Sequence, residues 1–148
     1  MNNIGYLLMK VSKELKYALS KELLVFELTT SQWAVIKQLE IEENYDSPLS
    51  KRTAVEIAAK LDLDKPTISG IVNRLYEKGM IKKNRHPDDK RATILYLTPK
   101  SKELIPTLES VSNTVIDESL KDFSNEEKEI FINLLNKIDH SLNGRENK

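Results

Sequence analysis

The chain has no cysteine among its 148 residues. That excludes disulfides, thiolate metal sites and cysteine-based oxidant sensing from its own chemistry. Histidine is nearly as scarce. His86 and His140 are the only two, and neither has another histidine near it in sequence, so no metal site is expected. There is no glycine-rich phosphate loop and no nucleophile elbow, so neither a cofactor nor an enzymatic activity is expected. No run of about 18 apolar residues occurs, which excludes a spanning helix. The start, MNNIGYLLMK, lacks the charged onset and continuous apolar core of a signal peptide. The expectation is a cytoplasmic protein with no membrane partner.

Net charge is also missing: 23 Lys and Arg balance 23 Asp and Glu. The distribution says more than the sum. Residues 1–50 carry 5 basic against 7 acidic side chains, residues 51–91 carry 11 against 6, and residues 92–148 carry 7 against 10. The balances are −2, +5 and −3, so cationic charge is concentrated in the middle of the chain, where it suits contact with phosphates. With 39% apolar and 31% charged residues, the length suits one compact domain, or a small domain embedded in a helical frame.

The middle of the chain has the clearest pattern. Ala54, Ile57, Ala58 and Leu61 form one apolar stripe on a helical period, and Ile68, Ile71, Val72 and Leu75 form a second after a short break. Thr53 with Glu56 is a capping box. Asp64 caps the second helix, Pro66 is tolerated in its first turn, and Gly79 supplies the left-handed residue that ends it. With the second stripe buried, Pro66, Ser69, Gly70, Asn73 and Glu77 point outward, flanked by Thr67 and Arg74. This is a helix-turn-helix whose second helix suits a DNA major groove, with Lys65 completing its expected DNA-facing set.

Ile81 to Arg85 and Ala92 to Thr98 read as two antiparallel strands joined at His86-Pro-Asp-Asp-Lys90. Lys83, Arg85, Lys90 and Arg91 make this hairpin basic, suited to an adjacent minor groove. For Arg91 a salt bridge with Asp89 that stiffens the tip competes with a DNA contact, and both roles stay open. Lys51 and Arg52, just before the helix-turn-helix, are further candidates for phosphate contact.

The runs TAVEIAAKLDLDKPTISGIVNRLYEKGMI and PDDKRATILYLT resemble the winged helix-turn-helix of the MarR family of bacterial transcription regulators. The hairpin's Asp89-Lys90-Arg91 is similar to the family's Asp-Arg-Arg. Lys90 stands where arginine is usual, and Gly70 where arginine is common. The resemblance implies a mainly α fold with a small antiparallel β wing (α+β), in which the winged helix-turn-helix is embedded in a helical dimerisation frame. It also implies a homodimeric repressor, released by a small, often aromatic or phenolic effector, whose recognition helices enter successive major grooves of a pseudo-palindromic double-stranded DNA operator. A winged helix used as a protein-interaction adaptor remains the alternative.

The flanking segments read as amphipathic helices. Ile4, Leu7, Leu8, Val11 and Leu15 lie on one face of the first, which packs either on its own domain or, by the resemblance, against a second subunit. Thr29 with Gln32 opens the next helix, to about Glu42, with Trp33 as a packing residue, and a polar loop follows to Arg52. Thr98 caps a helix starting at Pro99, in which Pro106 predicts a kink or a late start. Ser124 with Glu127 opens the last helix, which Gly144 closes. Val111 and Val115 on the fifth helix, with Ile130, Leu134 and Ile138 on the sixth, complete the expected dimerisation set. The expected segments are 1–28 (dimerisation), 29–98 (DNA-binding domain) and 99–148 (dimerisation).

Overall fold

Helix ends follow the polar side chains beside them. In the computed structural model, which describes residues 3–144, Asn3 accepts the Tyr6 N–H at 3.2 Å and opens α1, Ile4–Leu23. The outermost residues of the first and third expected segments, 1–2 and 145–148, lie outside the described residues. A 3-10 turn, Leu24–Phe26, continues α1 and ends at Glu27, whose φ of 56° is left-handed. The Thr29 and Gln32 capping box forms with both bonds, 3.1 and 3.2 Å, and starts α2, Thr30–Asn44. The polar loop expected from Glu42 is therefore shorter, cut by the last turn of α2 and by a 3-10 turn at Leu49–Arg52.

Helix α3, Ala54–Leu61, is capped by the Thr53 hydroxyl, which accepts the Glu56 N–H at 3.2 Å. Only this half of the expected box forms among the described residues. The Thr53 backbone is engaged elsewhere, in an isolated antiparallel bridge to Ile94. Asp64 accepts the Thr67 N–H at 2.8 Å and begins α4, Lys65–Glu77, with Pro66 in the first turn. Gly79 at φ 71° reverses the chain, and the Met80 N–H returns to the Leu75 carbonyl at 2.9 Å, closing the helix end.

Strands β1, Ile81–Arg85, and β2, Thr93–Leu97, pair antiparallel in one register, Ile81 opposite Leu97 and Arg85 opposite Thr93. Ile94, Leu95 and Leu97 are buried. Leu95 and Leu97 join Val35, Ile36, Leu39, Ile57, Ile68 and Leu75 in one core around the helix-turn-helix. Trp33 is also buried, as its spacing predicts. Leu23, Ile105 and Leu108, from segments flanking 29–98, belong to the same core. The chain divides into two compact units, one ending at Ser112 and the other starting at Asn113.

Helix α5, Pro99–Ser119, begins where Thr98 accepts the Ser101 N–H at 3.3 Å. Thr98 also donates to the Gly79 carbonyl at 2.7 Å, and Ser101 donates to that of Met80. These bonds anchor the helix start to the turn that follows α4. The helix runs through Pro106 without the late start that its proline suggests. Both Pro106 and Lys102 are exposed, so water can take the carbonyl that the proline leaves without an N–H.

In the second unit, α6, Asn125–Asn143, opens on the complete Ser124 and Glu127 box, with bonds of 3.1 and 3.0 Å. Phe123 and Phe131 meet edge to face, centroids 5.8 Å apart. Gly144 caps α6 at φ −63°. It does not use the left-handed freedom that its position in sequence suggests.

One buried carboxylate gives the first unit a pH dependence. Glu42 is 5% exposed, accepts from Gln38 Nε2 at 3.0 Å and pairs with Lys60 at 3.3 Å. The Ser47 side-chain hydrogen bond, aided by Lys60 and Gln38 against the cost of burial, holds it below the ordinary value of 4.5. A depressed carboxylate contributes stability above its unfolded pKa and loses it as pH falls through the folded one. The wild-type chain should thus lose stability below pH 4.5, and Glu42→Gln should show a shallower loss there by urea unfolding at stepped pH. Parallel pH curves would remove Glu42 from this role.

Candidate nucleic-acid interface

The α4 stripe that enters the core decides which side chains remain outside. Ile68, Ile71, Val72 and Leu75 are buried, and on the other side Lys65, Pro66, Thr67, Ser69, Asn73, Arg74 and Glu77 are exposed, with Gly70 half-buried. The spacing therefore places every expected α4 residue on the outer face. Tyr76 is also exposed there, following Pro66, Ser69 and Asn73 at steps of three and four. That periodicity is the signal in the sequence that marks Tyr76 as a further outer-face residue.

The start of α4 favours anions. Thr67, by its side chain first and its backbone second, hydrogen-bonds the Asp64 carboxylate and holds it below the usual range. The helix N-terminus also contributes its positive dipole end.

Gly70 is a helix-interior glycine with no special backbone requirement. A Cβ built on it meets nothing within 4 Å. Gly70→Ala should therefore stabilise the chain by about 0.5–1 kcal/mol, because alanine loses less conformational freedom in a helix. Urea unfolding checks this, and a destabilised variant would reveal a steric demand at that position.

The wing tip is organised by backbone bonds. The His86 N–H donates to the Ala92 carbonyl at 3.0 Å, and the Ala92 N–H to that of Asp89 at 3.1 Å. His86 Nδ1 accepts the Asp88 N–H at 3.0 Å. Asp89 Oδ1 accepts the Arg91 N–H at 3.0 Å and lies 4.0 Å from Arg91 Nε. The Arg91 side chain is 98% exposed, so its ion pair contributes little beside the Asp89 backbone bond. Arg85 and Lys90 are exposed as well.

Several cations of the middle segment turn inward. Lys83 does not extend from the wing: its Nζ lies 3.3 Å from Asn73 Oδ1 and 4.5 Å from the centre of the Tyr76 ring, on α4. Arg52 is drawn in toward Asp46 at 3.8 Å, its side chain 13% exposed, which does not suit the phosphate contact considered for it. Lys60 pairs with Glu42, and Lys78 donates to Gln32 and to the Glu27 carbonyl. Lys65 and Arg74 on α4, Lys82, Arg85, Lys90 and Arg91 on the wing, and Lys51 just before α3 remain exposed.

Among the described residues no group of three or more His, Cys, Asp and Glu could hold a metal ion, and no helix is long and apolar enough to cross a membrane.

This architecture has well-populated precedents. The chain is similar to a crystal structure of MarR at a TM-score of 0.82 and 25% identity, over 95% of this chain and 98% of that one. It shares its fold with S. aureus MepR, crystallised as a DNA complex (TM-score 0.78, 24% identity, 95% and 99% covered). It also shares it with a mutant MarR from E. coli complexed with operator DNA (0.75, 21%, 91% and 92%). The MarR family model matches residues 28–93, the region that holds α2, the helix-turn-helix and most of the wing. By that match over residues 28–93 and by this mainly helical fold with its two-stranded wing, the chain is similar to the MarR family of winged-helix transcription regulators.

Proposed function

We propose that the chain binds double-stranded operator DNA as a homodimer and represses transcription. The observation that carries this reading is the juxtaposition of α4's polar outer face with a basic wing, joined through Lys83 and Asn73. Thr67, Ser69, Asn73 and Arg74 read base edges in the major groove, Lys65 and the helix N-terminus hold phosphate, and Arg85, Lys90 and Arg91 reach the neighbouring minor groove. Two relatives of the same fold were crystallised with DNA, which supports the same partner here, in a cytoplasmic setting.

Dimerisation is supported by apolar side chains that the single chain leaves uncovered. Ile4, Leu7, Leu8 and Val11 on α1 are exposed, as are Ile130, Leu134 and Ile138 on α6; Leu15, Val111 and Val115 are half-buried. A second copy would remove these surfaces from water. Two recognition helices one helical turn apart would then match a pseudo-palindromic site. A small aromatic or phenolic effector would release the DNA by binding more tightly to a dimer whose helix spacing no longer fits it.

A gel shift on the DNA upstream of the protein's own gene, with solution sizing of the free protein, tests the proposal. Saturable, sequence-selective binding by a dimer is expected. Weak, non-selective binding would favour a protein-interaction adaptor, and a monomer at working concentration would overturn the two-site geometry.

A further inference from the structure

Lys83 is half-buried on β1, opposite Leu95, and its ammonium is held on α4 by two groups: the Tyr76 ring, 4.5 Å from centroid to Nζ, and Asn73 Oδ1 at 3.3 Å. An ammonium can only donate, so the Asn73 atom facing it must be the carbonyl oxygen. The amide nitrogen is the other end of the same planar group. It is left as the part of Asn73 that can meet a base.

Asparagine reads adenine by using both ends, its oxygen accepting from N6 and its nitrogen donating to N7. Here the oxygen is already occupied by a cation seated over an aromatic ring, an arrangement that strengthens as water is excluded. A second lone pair remains on the oxygen. A base amine brought to it would nevertheless sit against the ammonium, so donor groups at N6 of adenine or N4 of cytosine are disfavoured. Guanine presents only acceptors at N7 and O6, which suit the Asn73 amide and the adjacent ammonium together.

The geometry points to Lys83 as a specificity-determining residue that positions Asn73 as a hydrogen-bond donor, so that α4 selects guanine over adenine at the base Asn73 reads. This rests on the DNA-binding reading above and adds to it a base preference and a residue outside the recognition helix that sets it. Lys83 thereby acts at the base, through Asn73 and beside it, not as a wing cation on phosphate.

The test uses the full chain and a pool of DNA duplexes with a randomised core, sequenced after selection. The wild type should enrich a guanine in each half-site that Asn73→Ala no longer selects. Lys83→Met removes the ammonium and keeps a flexible stem against Tyr76. It should lower the guanine preference at that position roughly tenfold, the scale of one good base contact, and raise adenine, leaving other positions unchanged. Lys83→Arg keeps a cationic donor and should keep guanine.

Lys83→Met that weakens all sequences equally, with guanine still preferred, would overturn the proposal and return Lys83 to phosphate binding. Any base other than guanine at the Asn73-dependent position of the wild type would overturn it too. If circular dichroism finds Lys83→Met unfolded, that wild-type base decides alone. No enrichment of any sequence by the wild type would instead remove the DNA-binding reading itself, an outcome distinct from selective binding with the wrong base.

Discussion

Replacing Arg85, Lys90 and Arg91 together with alanine is expected to weaken operator binding steeply at low salt and to flatten its salt dependence. The three side chains are exposed at the end of β1 and on the wing tip, where each can displace counterions from a phosphate. Each such contact contributes about 0.9 to the slope of log K against log salt, so three lost contacts lower it by about 2.7 per wing. Folding should be nearly untouched. Asp89 organises the tip through the Arg91 backbone N–H at 3.0 Å, a bond that alanine retains, and exposed substitutions usually change stability by less than about 0.5 kcal/mol. Fluorescence anisotropy of a labelled duplex through a salt titration measures both effects. An unchanged slope would remove the wing from the interface.

Leu75→Ala should have the largest effect on folding. Leu75 is 0% exposed and sits on the inner stripe of α4 within the shared core. Truncating a buried leucine costs about 2–5 kcal/mol through lost burial and the cavity left behind, a large part of the roughly 5–15 kcal/mol that holds a typical domain together. The same side chain sets the roll of α4 about its axis. Chain that remains folded should therefore also bind DNA less well, because Ser69 and Asn73 face outward only while Leu75 faces inward. Urea unfolding reads the first effect and duplex binding the second. A variant that loses stability yet binds normally would show that α4 is held in place without Leu75.

The two substitutions act on opposite faces of the same unit, and the sequence distinguishes those faces. Ile68, Ile71, Val72 and Leu75 recur at helical spacing, so the inner and outer sides of α4 follow from a period of 3.6 before any contact is known. The helix starts at Thr29, Asp64, Thr98 and Ser124 were legible for a related reason. A cap is a bond between a side chain and an N–H two or three residues away, and distances that short are set by local geometry. Gly79 was legible because its turn needs a left-handed residue.

Capping signals failed where a distant segment competed. Thr53 and Glu56 have the spacing of a complete box, yet the Thr53 backbone pairs with Ile94. At the other end of the chain Gly144 ends α6 as expected, but in the right-handed region. The late start that Pro106 allowed does not occur, because the proline lies on an exposed stretch of α5 where solvent can serve the carbonyl left without an N–H.

Charge was legible as a regional excess and not as a set of contacts. The surplus of +5 in residues 51–91 identifies the segment suited to phosphate, but it assigns no cation to a surface. Long, flexible side chains are placed by what lies within their reach. Lys60 reaches Glu42, Lys78 reaches Gln32, and Arg52 is drawn toward Asp46. The outward side of Tyr76 was legible from its spacing, but its place beside Lys83 was not, because that depends on how β1 lies along α4.

From its order of residues alone, this chain specified where helices begin, which stripe of each turns inward, and that its positive charge gathers around one helix-turn-helix and hairpin. Those properties depend on neighbours a few positions apart. Tertiary structure decided which cations stay outside, how far the expected boxes complete, and that Leu23, Ile105 and Leu108 join the winged domain's core. It also placed Lys83 on Asn73, ten residues back in sequence on the neighbouring element. Such pairings arise only when packing brings separate segments within a few ångströms, so local spacing carries no record of them.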